Sequence, residues 1–287
     1  MSSRSATVVT HSRAEELAEP LERVLAAASA AGVVLRFDPD ETRKHAIASG
    51  EGVVADAPID PQVDLCLVLG GDGTILRALR LYARTGVPVF AVNYGDVGFL
   101  AAVDSEGIGE GLRRAFGGDF EPMHLPAVVL GDGDTWMGFN DVSFHRKPGF
   151  RVADLAYAIG ADEVGRVRCD GLVVSTPAGS TGYNLANGGP VMAWGVEGFV
   201  VSFIAPHSLT ARTLVVAPRD TVSVHNRSRD PIDVTVDGRP ICELPPQEAL
   251  QVRFVDAQTV LAQMPGASFY HRLRETFGRL ASYHRPD

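Results

Sequence analysis

Apolar positions recur along the chain with two different periods, and the dominant period changes before the middle. Up to Phe116, short continuous apolar runs alternate with stretches of helical spacing. The runs at 6–10, 33–37, 65–69 and 87–93 read as strands, the third buried on both faces and the fourth also buried. Between them Leu17, Leu21, Val24 and Ala28 recur at helical intervals and Gly32 stops them. That predicts a helix with Pro20 in its first turn. Leu76, Leu79 and Ala83 predict the inner face of a second helix, capped by Thr74 and ended by Gly86 and Pro88. Residues 105–116 read as a third. Residues 38–62, acidic and carrying Pro39, Pro58 and Pro61, read as an irregular connection. Strand, helix, strand, helix is the rhythm of a parallel α/β sheet, where ligands bind at the carboxyl ends of the strands.

After Gly117-Gly118-Asp119 the rhythm becomes β-rich. Runs at 127–130, 135–142, 155–159, 164–167, 171–175, 200–204, 213–216, 221–225, 232–236 and 249–253 are short and separated by turn residues such as Gly131-Asp132-Gly133 and Asp237-Gly238. No strong helix interrupts them, so they read as a sandwich-like domain. Leu273, Phe277 and Leu280 then return to helical spacing. The expected organisation is an α/β N-terminal domain with a parallel sheet over 1–121, a β-rich, sandwich-like C-terminal domain over 122–265, and a C-terminal helix over 266–287 that packs back on the first domain.

Composition narrows the classes. With 287 residues, 45% apolar and 21% charged, the chain has the make-up of a globular protein of one large or two ordinary domains. No apolar run approaches the ~20 residues of a membrane span, and the N-terminus lacks a long apolar signal core. A cytoplasmic enzyme is the expectation, with no membrane partner. The net charge of −9 argues against a nucleic-acid partner. Any anionic ligand must therefore be held locally, by backbone N–H groups, a few Arg or Lys, and a divalent cation. Cys66, Cys169 and Cys242 are too far apart for a disulfide framework or a zinc site.

Two stretches carry candidate chemistry. Gly70-Gly71-Asp72-Gly73 joins an apolar strand to a helix, with almost no side-chain bulk and a helix N-terminus open to an anion. Asp72 either satisfies its own turn or works on a phosphate or hydroxyl, and the stretch alone leaves both open. The second, Asp170 to Asn184, is a strand and a turn crowded with hydroxyls: Ser175, Thr176, Ser180, Thr181 and Tyr183, with Gly179 and Gly182. It suits a polyhydroxylated, phosphate-bearing ligand, or it is a Ser/Thr-rich helix cap. Asn140-Asp141 can present an amide beside a carboxylate or can be a strand-end turn. His207 stands alone and reads first as a structural hydrogen bonder. There is no G-x-x-x-x-G-K-[ST], so no P-loop, and the third glycine of a dinucleotide fingerprint is missing. Ala178-Gly179-Ser180-Thr181-Gly182 falls one residue short of a nucleophile elbow. A serine hydrolase built on Ser180 remains a runner-up that needs a following helix and a nearby His.

Taken in order, Gly70-Gly71-Asp72-Gly73-Thr74, Asn93-x-Gly95-x-x-Gly98-Phe99-Leu100, Asn140-Asp141, Asp170-Gly171, Thr176-Pro177-x-Gly179-Ser180-Thr181-x-Tyr183, Gly188-Gly189-Pro190, Pro206-His207-Ser208-Leu209 and Asp237-Gly238 resemble the NAD kinase family. Gly-Gly-Asp-Gly alone is shared with phosphofructokinases and lipid kinases; the Thr176–Tyr183 motif is far more specific. The resemblance implies transfer of a phosphoryl group from ATP or inorganic polyphosphate to the 2′-hydroxyl of the adenosine ribose of NAD, giving NADP. It also implies a divalent cation, magnesium or possibly manganese, with no metal ligand assigned to the chain, and a homodimer or homotetramer.

By the same resemblance Asp72 is the base, Gly71 and Gly73 cradle phosphate, and Arg77 adds positive charge one turn into the helix. Asn140 and Asp141 bind the second nucleotide portion and ribose of NAD, and Asp170 holds ribose hydroxyls or the nicotinamide side. Thr181, Gly182 and Tyr183 contact the dinucleotide and Ala205 lines the adenine pocket. Arg168 and Arg146 are phosphate-contact candidates. Ala186, where the family often has Ser, is counted with these contacts. Ala178, Gly182, Val97 and Arg239 also depart from the common pattern, and Arg239 can recruit a phosphate. Two other classes stay open on the residues: a kinase of the wider Gly-Gly-Asp-Gly superfamily acting on a sugar phosphate or lipid, and a dinucleotide sensor without turnover.

Overall fold

Five apolar residues in succession, Leu65-Cys66-Leu67-Val68-Leu69, must be covered on both faces, and the fold does so by placing helices on opposite sides of one parallel sheet. The computed structural model describes residues 4–94, 98–131 and 135–278. Gly95 and Val97 of the glycine motif, Asp132-Gly133 of one turn, and Leu280 lie outside the described residues.

The chain forms two compact units, Met1–His124 with Thr259–Asp287, and Leu125–Gln258. The first unit runs β1 (Ser5–Thr10), α1 (Ala18–Ala31), β2 (Val34–Arg36), α2 (Pro39–His45), β3 (Val53–Val54), β4 (Leu65–Leu69), α3 (Asp72–Leu81), β5 (Pro88–Asn93), β6 (Val103–Asp104) and α4 (Ile108–Gly117). Parallel pairing gives the order β5-β4-β1-β2-β3. Leu65, Leu67 and Leu69 join Phe90 and Val92 in a buried cluster with α1 (Leu21, Val24, Ala28) and α4 (Ile108, Leu112, Phe116). The alternate residues Cys66 and Val68 face the other side, towards α3. There Tyr82, just past the helix, is fully buried and donates its hydroxyl to Thr7 Oγ1 at 2.6 Å.

The expected irregular connection contains α2. Asp38 caps that helix by accepting the Glu41 N–H at 2.8 Å, and Pro39 stands in its first turn. Thr74 does not cap α3: Gly71 is the N-cap, and α3 begins at Asp72 itself. Helix α3 ends at Leu81, earlier than Gly86.

The second unit is antiparallel. It comprises the end of β7 (Glu121–Leu130), then β8 (Trp136–Gly138), β9 (Asp141–Arg146), β10 (Ala153–Ile159), β11 (Asp162–Cys169), β12 (Gly171–Ser175), the short helix α5 (Tyr183–Ala186), β13 (Phe199–Ile204), β14 (Leu214–Val216), β15 (Thr221–Asn226), β16 (Ile232–Val236), β17 (Arg239–Leu244) and the start of β18 (Ala249–Gln263). One layer has the order β14-β13-β12-β9-β16-β17 and the other contains β11-β10-β15-β18. Side chains of both layers, among them Phe144, Leu172, Val201, Leu155, Val224 and Val252, share one buried cluster. The run expected over 135–142 is two strands, because Asn140 turns the chain between β8 and β9. Strand β17 escaped the alternation pattern: five of its six residues are exposed or half-buried.

The end of β18 belongs to the first unit, where Val260–Ala262 extend the parallel order beyond β5. The C-terminal helix α6 (Phe269–Gly278) follows in the same unit and packs Phe269 and Phe277 on Phe99, with ring centroids 6.4 and 5.9 Å apart.

Candidate active site

Parallel strands aim their carboxyl ends one way, and β1 and β4 deliver His11, Ser12 and the glycine turn to the same place. His11 donates its N–H to the Leu69 carbonyl (3.0 Å), and Gly70 donates to the Val92 carbonyl (3.0 Å), which pins the turn to the strand ends. A cleft of about 480 Å³ opens there, lined by His11, Ser12, Gly71, Asp72, Gly73, Thr74 and Gly98. The first N–H groups of α3 lack intrahelical partners, so this end of the helix favours a phosphate.

Asp72 is the first residue of α3, and its carboxylate turns back to accept the N–H groups of Phe99 (3.2 Å) and Leu100 (3.3 Å). Burial raises its pKa, against the pull of those two donors and of the Arg272 guanidinium. Gly98 has no room for a side chain: a Cβ there would lie 2.7 Å from the Asp72 carboxyl carbon. Arg77 is not among the residues that line this cleft. Its guanidinium donates to the Thr10 carbonyl (2.8 Å) and to the buried Glu41 carboxylate (2.7 Å). Burial works against the charge on Glu41, but the Thr10 hydroxyl and the Lys44 ammonium outweigh it and hold its pKa below the ordinary value. His11 was not anticipated. Its Nδ1 accepts the Arg13 N–H at 2.9 Å, while Nε2 is buried without a hydrogen-bond partner.

In the second unit Asn140, Asp141 and the hydroxyl-rich turn form one knot. The Thr176 hydroxyl donates to the Phe139 carbonyl (2.6 Å), and both the Ser175 hydroxyl (3.0 Å) and the Thr176 N–H (2.9 Å) donate to the Asn140 carbonyl. Gly179 packs so closely that a Cβ would overlap that carbonyl. The Asp237 carboxylate ties the other side, accepting the N–H groups of Phe139 (3.2 Å), Asn140 (2.7 Å) and Asp141 (3.2 Å). Asp141 is 6% exposed, and burial together with the Asp237 charge pushes its pKa up to about 7. Gly182 lies beside the Asn140 amide, where a Cβ would sit 3.8 Å from Nδ2. Tyr183 stacks on His145, centroids 5.7 Å apart and planes 16° apart.

A second group gathers at the end of β13. Asp170 donates its N–H to the Ile204 carbonyl (2.9 Å) and pairs with the Arg146 guanidinium at 2.5 Å; His207 donates its N–H to the Arg168 carbonyl (2.7 Å). Ala205 stands between them at φ 43° and is exposed, as are the Arg168 side chain and Ala186 on α5. Ser180 is not a nucleophile. It is fully buried, donating to the Pro177 carbonyl (2.7 Å) and accepting from the Met192 N–H (2.8 Å), which removes the hydrolase reading.

Residues 4–120 match the ATP-NAD kinase N-terminal domain, and residues 139–264 match the ATP-NAD kinase C-terminal domain. The chain belongs to the NAD kinase family. Among its curated relatives, the NAD kinase of Gemmatimonas aurantiaca is 33% identical over 279 residues, 94% of each chain. That of Symbiobacterium thermophilum is 33% identical over 261 residues, 88% of this chain and 92% of the relative. The crystal structure of yeast NADH kinase complexed with NADH matches with a TM-score of 0.84, covering 99% of this chain and 90% of that one; at 21% identity the likeness is one of fold. The crystal structure of an Archaeoglobus fulgidus NAD kinase in complex with ATP matches with a TM-score of 0.75 at 26% identity, covering 97% and 99%. Membership of this family sets the chain apart from the sugar and lipid kinases that share only Gly-Gly-Asp-Gly.

Proposed function

We propose that the chain transfers the γ-phosphoryl group of ATP to the 2′-hydroxyl of the adenosine ribose of NAD, with Asp72 as the general base. One observation carries the assignment: a carboxylate held by two backbone N–H groups lines a cleft at a helix N-terminus in a chain of this family. A ribose hydroxyl is a poor nucleophile until a neighbouring carboxylate accepts its proton. As the oxygen–phosphorus bond forms and the bond to the leaving ADP breaks, charge gathers on the transferred phosphoryl oxygens. The open N–H groups of α3, Gly71 and Gly73 among the turn residues, would meet that charge. ATP is bound by the Archaeoglobus fulgidus relative, which supports it as donor; inorganic polyphosphate offers the same phosphoanhydride.

The dinucleotide would lie against the second unit's turn, with Asn140 and Asp141 on its ribose, Thr181, Gly182, Tyr183 and Ala186 along it, and Asp170, Arg168 and Ala205 contributing at the end of β13. Among the described residues no three His, Cys, Asp or Glu are grouped to hold a metal ion. Magnesium or manganese would therefore arrive on the donor phosphates, keeping its waters, and neutralise their charge. A homo-oligomer, implied by the family resemblance, completes the reading. No helix among the described residues is long and apolar enough to cross a membrane.

The test is Asp72→Asn. NADP formation should fall by about 10²–10⁴-fold while the dissociation constant for NAD stays within about threefold. Turnover at the wild-type rate would remove Asp72 as the base.

A further inference from the structure

The short segment Phe99–Ala101 is tied on every side by side chains far away in sequence. Its N–H groups at Phe99 and Leu100 go to the Asp72 carboxylate. Its three carbonyls point the other way. Arg272, on α6, donates to the Phe99 carbonyl at 3.0 Å and to the Ala101 carbonyl, and Gln263 donates to the Leu100 carbonyl at 3.2 Å. The second arm of the Arg272 guanidinium takes the Gln263 Oε1. Phe99 is clamped between Phe269 and Phe277 of the same helix. One planar fork thus reaches two carbonyls and an amide at once, which a lysine ammonium on a flexible stem does not reproduce.

We propose that Arg272 is a positioning residue for the Asp72 carboxylate: from the C-terminal helix it fixes the segment whose N–H groups hold that carboxylate in place to take the ribose proton, and it sets a positive charge near it. The proposal rests on Asp72 being the base. Arg272 is half-buried, so its field reaches Asp72 less screened than it would across open solvent. Burial pulls the Arg272 pKa down, and the Asp72 and Glu275 charges push it back. His11 lines the same cleft from the end of β1, and Glu275 faces Arg272 from α6. Arg77, on α3, is engaged by Glu41.

The experiment is steady-state NADP formation by the full chain from pH 5.5 to 9, for wild type, Arg272→Met, Arg272→Lys and Asp72→Asn. Arg272→Met should lower kcat by about 10–100-fold with the KM for NAD within about threefold, and should move the acidic limb of the kcat profile upward. Arg272→Lys should keep the limb near its wild-type position but lose about five- to tenfold in kcat, because charge returns without the fork. An acidic limb unmoved in Arg272→Met overturns the proposal, whatever the loss of rate. If Arg272→Met does not fold, as read by circular dichroism, the Lys variant decides, and wild-type kcat there overturns it. Asp72→Asn keeps the two readings apart. Turnover retained in that variant defeats the assignment of the base, whereas turnover lost there with an unmoved profile in Arg272→Met defeats only the role of Arg272.

Discussion

Asp141 makes folding itself depend on pH, and the size of the effect follows from its surroundings. Its carboxyl sits at about 7 because it is buried and faces the Asp237 charge; in the unfolded chain an Asp titrates at about 3.9. The folded state therefore binds the proton more tightly. This contribution to stability is fully present below about pH 4 and is lost as pH rises through 7. Integrating between those two values puts the loss at about 1.5 kcal/mol by pH 5 and about 4 kcal/mol by pH 8. Asp141→Asn replaces the neutral acid with an amide of the same shape that does not titrate. Relative to wild type, the variant should gain about 2.5 kcal/mol of stability between pH 5 and pH 8. Urea denaturation of the two proteins at pH 5, 6, 7 and 8 measures this directly, and a gain of that size moves the midpoint by about 1 M at a slope of 2–3 kcal/mol/M. A stability difference that stays constant within about 0.5 kcal/mol across this range would show that Asp141 titrates as an ordinary carboxylate, and the argument from burial and Asp237 would be wrong.

Two further outcomes follow from the packing around the site. Gly98→Ala places a methyl against the Asp72 carboxylate and should lower kcat at least about tenfold while NAD affinity holds; an unchanged kcat would mean that the carboxylate needs no fixed position. Ser180→Ala removes a buried hydroxyl that serves Pro177 and Met192, so chemical denaturation should show a loss of about 1–3 kcal/mol; a fall in kcat of about 10⁴-fold in a folded variant would restore Ser180 as a nucleophile.

Much of the architecture was legible in the amino-acid order. A strand buried on both faces has to be apolar without interruption, and 65–69 is; a strand with one wet face alternates, and a helix repeats every three to four residues. Those periods determined the parallel α/β unit, the β-rich unit and the C-terminal helix, because burial acts on neighbours along the chain. The glycine turn at 70–73 was equally visible, since only small residues let a backbone meet a phosphate. Helix α2 was hidden by its prolines and charges, although Asp38-Pro39 is a start signal in itself. Strand β17 was hidden because most of its positions are wet.

The working geometry of the site was decided by the tertiary structure alone. Asp237 secures the Asn140–Asp141 turn from 96 to 98 positions away, Phe99 and Leu100 hold Asp72 across 27 and 28, and Arg272 reaches Phe99 across 173. Such bonds leave no period in the sequence. A charged residue on a helix reads as a solvated one until the fold takes it out of water and gives it partners. The residue types at the turn determined that Asp72 could work on a phosphate or a hydroxyl. Which groups hold its carboxylate, and which charge faces it, depended on strands and helices meeting in space.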